Sequence, residues 1–315
     1  MGDFRDSEPT RALMRPLPRN EASILSPLRY PGAKRRLYGY IAETIRLNGL
    51  SPRLFVEPFA GGASISLQLL NDGLVEGVAL GDKDPLIASF WKVALFDHKW
   101  LIESFANMSV TLDQWEKLRK DPGRTVRDRA LACLFLNRTS FSGIIAPGAG
   151  PIGGRRQQSA YKIDCRFAIE TISHRIRQVA SLRDRIEFVH LASWERTLEK
   201  ARALGYKQDE VAYYFDPPFY NKAERLYTHY FGIADHQRLH DALVDLRSSW
   251  ILSYDPSPEI IGMYSDNGRR RNVELLYSIR RTNGLAEAQE LIVTNLKRLP
   301  ARTRLWRTSS EWMNR

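Results

Sequence analysis

The segment Asp216-Pro217-Pro218-Phe219 carries residue types whose spacing could do chemistry. It follows the run 211–215, which is apolar, aromatic and β-branched and therefore predicts a buried strand. Consecutive prolines lack the N–H groups that a strand needs, so Asp216 is expected at the strand's carboxyl edge, where open α/β sheets bind ligands. Two acceptors, a carboxylate and the carbonyl between the prolines, then lie beside a flat ring. They suit the amino group of a nucleobase, whereas Asp-Pro alone is equally typical of an ordinary turn.

A glycine-containing turn follows the first predicted strand, 54–56. It reads Glu57-Pro58-Phe59-Ala60-Gly61-Gly62-Ala63-Ser64. The glycines let the backbone approach a ligand closely, and Ser64 is expected to cap a helix over 65–70. Because the turn lacks the G-x-G-x-x-G spacing of dinucleotide binders, it does not imply a pyrophosphate.

Two further segments could complete a ligand site. The second predicted strand, 77–80, runs into Gly81-Asp82-Lys83-Asp84, and an acid at this point is placed to bind ribose hydroxyls. Taken alone, such an acid also fits a helix cap. Upstream, a basic Pro-Gly turn places Tyr30 and Lys34 just before a predicted helix. An aromatic ring and a lysine together suit a ligand that carries a carboxylate. The alternative is that this basic turn is simply a solvated surface.

Strands and helices alternate along most of the chain and would position these segments. Further strands are predicted over 186–190, 211–215, 250–254, 273–279 and 290–295, the last two joined through Asn283-Gly284, with helices over 85–95, 194–204 and 236–246. This pattern predicts an α/β fold: a mixed, Rossmann-like sheet of about seven strands, closed by an antiparallel edge.

The stretch 99–182 interrupts this alternation with helical patterns, such as 126–136, and with a long loop from Asn137 to Gln158. Long loops inside a domain are usually functional or disordered, and Arg, Asn, Gln and Ser side chains contact phosphates and base edges. A solvated basic loop is the alternative. We therefore expect an inserted, mainly helical DNA-recognition domain over 99–183, a catalytic domain over 23–98 and 184–298, a flexible leader over 1–22 and a basic tail over 299–315.

Composition limits the classes of protein that fit. With 315 residues, 43% of them hydrophobic, the chain can bury a large core. No apolar run approaches the ~20 residues of a membrane span, and no signal peptide opens the chain. Cys133 and Cys165 lack metal-ligand spacing, which favours a cytoplasmic protein with free thiols and no metal. The formal charge of +11 favours a polyanionic partner.

Four segments in this order resemble the motifs of Dam-like DNA adenine-N6 methyltransferases, over roughly residues 25–295. They are Pro27-Leu28-Arg29-Tyr30-Pro31-Gly32-Ala33-Lys34, the glycine turn with Gly81-Asp82-Lys83-Asp84, Leu136-Asn137-Arg138 through Gly143, and Asp216-Pro217-Pro218-Phe219. The resemblance implies an enzyme that moves a methyl group from S-adenosylmethionine to N6 of an adenine flipped out of double-stranded DNA. It also implies a prokaryotic or phage origin and is compatible with a partner restriction nuclease.

The resemblance also implies roles for individual residues. Cofactor contacts are expected at Tyr30, Lys34, Glu57, Phe59, Gly61, Asp82 and Asp216, catalysis at Asp216, Pro217, Pro218 and Phe219, and DNA contacts at Asn137, Arg138, Ser142, Arg155 and Arg156. For Arg138, a buried structural arginine fits equally well. Phe219 stands where tyrosine is commoner in the family, and 191–194 lacks the acidic or amide residue often found there.

Three other functions fit the same residues. Cytosine N4 or a protein amide could be the acceptor, because the signature suits any planar amine. An amide-modifying enzyme would not need a basic, loop-rich insertion, and Asp before the prolines favours adenine. A DNA-binding relative without activity is the third alternative, against which the intact Asp216 and Lys34 argue.

Overall fold

A computed structural model of the protein describes residues 26–29, 34–146, 148–220, 231–277 and 286–305. Side chains are described for these residues except 276, 277 and 286–288. The predicted leader 1–22, Tyr30 and the turn at Asn283-Gly284 lie outside the described residues.

Seven strands form one mixed sheet. They are β1 (Leu54–Glu57), β2 (Gly77–Asp82), β3 (Ile186–Leu191), β4 (Val211–Phe215), β5 (Ser249–Tyr254), β6 (Arg269–Tyr277) and β7 (Ala286–Thr294). Their order is β3-β2-β1-β4-β5-β7-β6. The first five are parallel, whereas β7 is antiparallel to both β5 and β6. The expected α/β fold with an antiparallel edge is confirmed, and the order reverses between β1 and β4, where such sheets bind ligands.

Helices cover both faces of this sheet. They are α1 (Tyr38–Leu47), α2 (Ser64–Asn71), α3 (Pro85–Phe96), α4 (His98–Ala106), α5 (Leu112–Lys120), α6 (Val126–Thr139), α7 (Ile169–Ala180), α8 (Trp194–Arg202), α9 (Ile233–Asp245) and α10 (Pro258–Met263). Because successive strand residues face opposite ways, Tyr214 of β4 packs into one apolar cluster while Tyr213 and Phe215 pack into the other. The result is a sheet buried on both faces.

The helices between β2 and β3 share the core of the sheet. Phe105 of α4 and Phe135 of α6 belong to the same apolar cluster as Phe55 of β1. Phe167 stacks on Phe105 and meets Phe135 edge-on. Helices α4 to α7 therefore pack against α3 and one another within the same apolar core as the sheet. The division into a catalytic domain and an inserted domain over 99–183 stays a prediction.

Several element bounds differ from the sequence predictions, and packing explains the differences. Helix α6 continues to Thr139, three residues past its apolar pattern, because the polar side chains of its last turn find partners inside the protein. The expected cap at Ser64 is wrong: Ala63, with φ of 46°, occupies the cap position and Ser64 is the first helical residue. Strand β4 spans the predicted residues, since its apolar run and the prolines after it fix both ends.

Candidate active site

A cavity of about 320 Å³ opens at the carboxyl edge of the sheet, at the switch between β1 and β4. Seven residues predicted for cofactor binding or catalysis line it: Lys34, Glu57, Phe59, Gly61, Asp82, Asp216 and Pro218. They come from separate segments of the chain, and the parallel strands bring them to one edge. Tyr30 lies outside the described residues.

The glycine turn between β1 and α2 forms one wall of the cavity. Asp82 at the end of β2 accepts a hydrogen bond from the Gly61 N–H through Oδ2, at 2.9 Å, and from the Asp84 N–H through Oδ1, also at 2.9 Å. The Gly61 carbonyl accepts from the Trp91 indole at 2.8 Å. These bonds fix the conformation of the turn. Within it, Gly61 has a φ of 43°, a left-handed backbone angle that favours glycine.

Two carboxyl groups of this wall have raised pKa values. Burial is the main cause in each case: it raises the pKa of Glu57 to about 8 and the pKa of Asp82 to about 7. The Ser66 hydroxyl donates to Glu57. Among the described residues, no cationic side chain pairs with either group. A cationic ligand in the cavity would therefore stabilise the ionised form of both.

Asp216 lines the same cavity as the glycine turn. Its Oδ1 is 3.2 Å from the Lys34 Nζ and accepts a hydrogen bond from the Ser253 Oγ at 3.1 Å. The hydroxyl of Ser253 lies 2.9 Å from that of Tyr214. Burial raises the pKa of Asp216 to about 6, with Lys34 acting in the opposite direction. At neutral pH the group is therefore predominantly a carboxylate and an acceptor.

The residues after Asp216 are held close to it. Pro217 is buried, and the Phe219 ring lies 5.1 Å from the Lys34 Nζ. The Tyr220 N–H donates to Asp255 Oδ1 at 3.0 Å, which ties the segment to the end of β5. This brings together the acid, the two prolines and the aromatic ring of the predicted signature.

The loop after α6 reaches the same cavity. Its residues Ile144, Ile145 and Ala146 line the cavity. The Trp115 indole donates to the Ser140 Oγ at 3.0 Å, and the Arg119 guanidinium donates to the Ala146 carbonyl at 3.0 Å, so helix α5 anchors the loop. Sequence reasoning did not anticipate that this loop forms a wall of the cavity.

The predicted DNA-contacting residues separate into two groups. Ser142, Arg155 and Arg156 are exposed, and Arg155 pairs with Glu116 at 2.9 Å. Asn137 and Arg138 are instead 1% and 6% exposed and lie in the last turn of α6, not in a loop.

The side chains of Asn137 and Arg138 bind backbone. Asn137 accepts from the Arg29 N–H at 2.7 Å and donates to the Arg29 carbonyl at 2.7 Å, while Arg138 donates to the Pro27 carbonyl. The expectation of an exposed DNA-contacting loop at these two positions is corrected. Their polar groups join α6 to the segment that leads to Lys34.

Three residues in or beside the site were missed. Ser253 and Glu290 surround Asp216 and Lys34, and Glu195 lines the cavity after β3, where 191–194 offers no acid. Glu290 did leave a signal, since it is an acid at the start of the apolar run 291–293. Its partner in space, Lys34, is far away in sequence.

The described residues contain no helix long and apolar enough to cross a membrane. In the same part of the chain, no cluster of three or more His, Cys, Asp or Glu residues has the geometry to hold a metal ion. Cys133 is buried and Cys165 exposed, and both are free thiols.

Comparison with known families decides between the functions that the residues leave open. A sequence model of the D12 class N6 adenine-specific DNA methyltransferases matches residues 30–279. The chain belongs to this family. No curated protein matches it.

The methyltransferase therefore methylates N6 of adenine in DNA, and family membership does not favour cytosine N4 or an inactive relative. The matched residues contain β1 to β6 and every lining residue of the cavity. The family implies the use of a methyl donor.

Proposed function

We propose that the methyltransferase binds S-adenosylmethionine in the cavity at the β1–β4 switch and acts on an adenine flipped out of double-stranded DNA. One observation carries the proposal: the glycine turn, Asp82 and Asp216 line the same cavity. A methyl donor and a target amine would meet in this cavity.

The chemistry of the cavity fits this donor. S-adenosylmethionine carries a sulfonium and an ammonium group, and desolvation raises the pKa values of the buried Glu57 and the half-buried Asp82. Cations beside them would return both groups to the ionised form. Asp82 would hold the ribose hydroxyls, and Phe59 and Glu195, which also line the cavity, would contact the adenine ring.

Asp216 and Pro217 would hold the target amine. The amine of adenine is a poor nucleophile because its lone pair is delocalised into the ring. When its two N–H groups donate to the Asp216 carboxylate and the Pro217 carbonyl, the nitrogen is favoured in a pyramidal geometry. The bound cofactor supplies an activated methyl group, and alignment by the fixed acceptors lowers the barrier.

Phe219 would stack on the flipped base. Flipping costs a few kcal/mol of unstacking, and an aromatic face in the pocket offsets part of this cost. The ring lies beside Lys34 and so is close to Asp216. A phenyl ring has no hydroxyl, so stacking and not hydrogen bonding is its contribution here.

The exposed loop residues Ser142, Arg155 and Arg156 would contact DNA. Residues 144–146 of the same loop line the cavity in which the flipped base would bind. A prokaryotic or phage source and a partner nuclease that cuts unmethylated sites are compatible with such an enzyme. Sequencing DNA from an expressing host would identify the modified site.

Calorimetry with S-adenosylmethionine tests the proposed cofactor site. Asp82→Ala should weaken binding by about 1–3 kcal/mol, since it removes an acceptor for two hydroxyls. Asp113→Ala, an exposed aspartate in α5, is the matched control and should bind as the wild type does. Equal affinities in wild type and Asp82→Ala would refute the assignment, and melting curves of all three proteins report whether they are folded.

A further inference from the structure

A buried acid, Glu290 of β7, contacts the same lysine as the half-buried Asp216. Its Oε1 lies 2.8 Å from the Lys34 Nζ, a shorter distance than the 3.2 Å between Lys34 and Asp216. Glu290 is 2% exposed and Lys34 is 7% exposed. Strand β7 is antiparallel to β5, with Leu291 opposite Tyr254, so its beginning lies at the carboxyl edge of the parallel strands. The topology therefore places Glu290 beside the catalytic segment.

The trio of Lys34, Asp216 and Glu290 carries unequal numbers of positive and negative charges. A buried lysine paired with a single aspartate would form a neutral pair, and the aspartate would lose strength as an acceptor. Here two carboxylates share one ammonium, which leaves about one negative charge on the trio when both are ionised. The second acid thus keeps Lys34 charged and in place while it limits how far Lys34 neutralises Asp216.

The contacts of Asp216 are also unevenly distributed. Lys34 and Ser253 both contact Oδ1. Oδ2 accepts no hydrogen bond from the side chains and backbone that the structure describes. A target amine can therefore reach Oδ2 without displacing a protein contact.

We propose that Glu290 is a positioning residue of methyl transfer: it anchors Lys34 on Oδ1 of Asp216, which leaves Oδ2 and the negative charge available to the amine. The inference rests on the proposed role of Asp216. A purely structural role for Glu290, as a lysine partner that stabilises the β5–β7 edge, makes different predictions about rate and pH.

Other titratable groups around Asp216 set the background for a pH measurement. They are Lys34 ahead of α1, Glu57 of β1, Tyr214 of β4, Tyr254 of β5 and Glu290 of β7. Burial raises the pKa values of both tyrosines well above their ordinary value, so they stay neutral. Glu57 is present in every variant tested, so its titration contributes to all the rate profiles. A difference in the acid limb between variants therefore reports on Glu290.

The test is single-turnover methyl transfer, with labelled S-adenosylmethionine and plasmid DNA from a host without adenine methylation. Glu290→Gln should lower the rate about tenfold at neutral pH, less than the hundredfold or more expected for loss of Asp216 itself. Cofactor and DNA affinities should stay near wild type. The acid limb of the rate profile should move to lower pH, because removing the negative charge of Glu290 lowers the pKa of Asp216.

Two further variants keep the inference testable if Glu290→Gln folds poorly. Glu290→Asp retains the charge with a shorter side chain, so its acid limb should stay near that of wild type while its rate falls. Glu274→Gln, the same change on the neighbouring strand β6, is the control and should behave as wild type.

Three outcomes separate this inference from the proposed function. A wild-type rate and acid limb in Glu290→Gln would overturn the inference, and so would an acid limb in Glu290→Asp that moves to lower pH than that of wild type. If Asp216→Ala also retained the wild-type rate, the proposed function itself would fail. If Asp216→Ala lost activity while Glu290→Gln kept the wild-type rate and acid limb, only the role of Glu290 would be overturned.

Discussion

At the scale of single residues, the site is a set of buried and half-buried carboxyl groups around a cavity. Glu57, Asp82 and Asp216 all have pKa values raised by burial, and Lys34 is the cation placed against one of them. Buried acids of this kind reduce stability when no ligand is bound, because they disfavour ionisation in the folded state. Such a cost is typical of a site built for a cationic ligand.

Glu57→Gln should raise the free energy of unfolding of the ligand-free protein, and this increase should grow as pH rises. The folded pKa of Glu57 is about 8, above the ordinary carboxyl value. The folded protein therefore holds a proton that the unfolded chain has released, and stability from Glu57 declines as pH rises towards about 8. A glutamine does not ionise, so it avoids this decline.

Melting temperatures between about pH 5 and about pH 9 measure this effect. The difference between Glu57→Gln and wild type should grow with pH, whereas Glu103→Gln, an exposed change in α4, provides the control for a neutral substitution. A difference that stays constant or shrinks with rising pH would contradict the assigned protonation of Glu57.

Individual site residues were predictable where a local motif carries them. Asp216, Pro218, Glu57, Gly61 and Asp82 lie in short segments at strand ends, and the parallel sheet brings those ends together. The positions of Ser253 and Glu290 depend on which strands are neighbours. That pairing is set by the whole sheet and is not written in any short segment.

At the scale of elements, helix α5 holds the loop that closes the cavity. Trp115→Phe removes the indole N–H that donates to the buried Ser140 Oγ. We expect the free energy of unfolding to fall by about 1–3 kcal/mol, because a buried hydroxyl is left without its partner. Hydrogen exchange in residues 140–146 should become faster.

Trp100→Phe is the matched control, since Trp100 lies on the neighbouring helix α4 and stacks on Arg127. It should leave exchange in the loop unchanged. If Trp115→Phe left both loop exchange and chemical denaturation as in wild type, α5 would not anchor the loop.

The parallel strands were predicted better than the helix ends and the two antiparallel strands, which begin at 269 and 286 and not at the predicted 273 and 290. The run 211–215 is followed by prolines, so its apolar composition and this stop predicted β4. Helix α6 was predicted to end at 136 because its apolar period stops there, yet it continues to Thr139. Asn137 and Arg138 continue the helix because they bind the backbone at Arg29 and Pro27, over a hundred residues away in the chain. The apolar periodicity of one sequence does not reveal such long-range contacts.

At the scale of the whole molecule, a net charge of +11 favours binding to DNA, a polyanion, whatever the DNA sequence. Arg155→Ala and Arg156→Ala should each weaken DNA binding to specific and nonspecific sequences alike. Removing one arginine–phosphate interaction should reduce the slope of log affinity against log salt by about one. Both side chains are exposed, and the side chain of Arg155 is 75% exposed.

Arg183→Ala supplies the control for these two changes. Arg183 is also exposed, but it lies just before β3, at the edge of the sheet opposite the cavity. Fluorescence anisotropy over a salt series should show a wild-type slope for this variant. Equal slopes for all four proteins would place DNA contact elsewhere on the surface.

The central claim is that Asp216 accepts the target amine during transfer, and single-turnover methylation of DNA tests it most directly. Asp216→Ala should slow transfer by on the order of a hundredfold or more while DNA affinity changes little, because the interaction is strongest in the transition state. Asp245→Ala, an exposed change at the end of α9, is the control and should transfer at the wild-type rate.

Digestion of the wild-type product should place the labelled methyl group on N6 of adenine. A wild-type rate of transfer in Asp216→Ala would contradict the account.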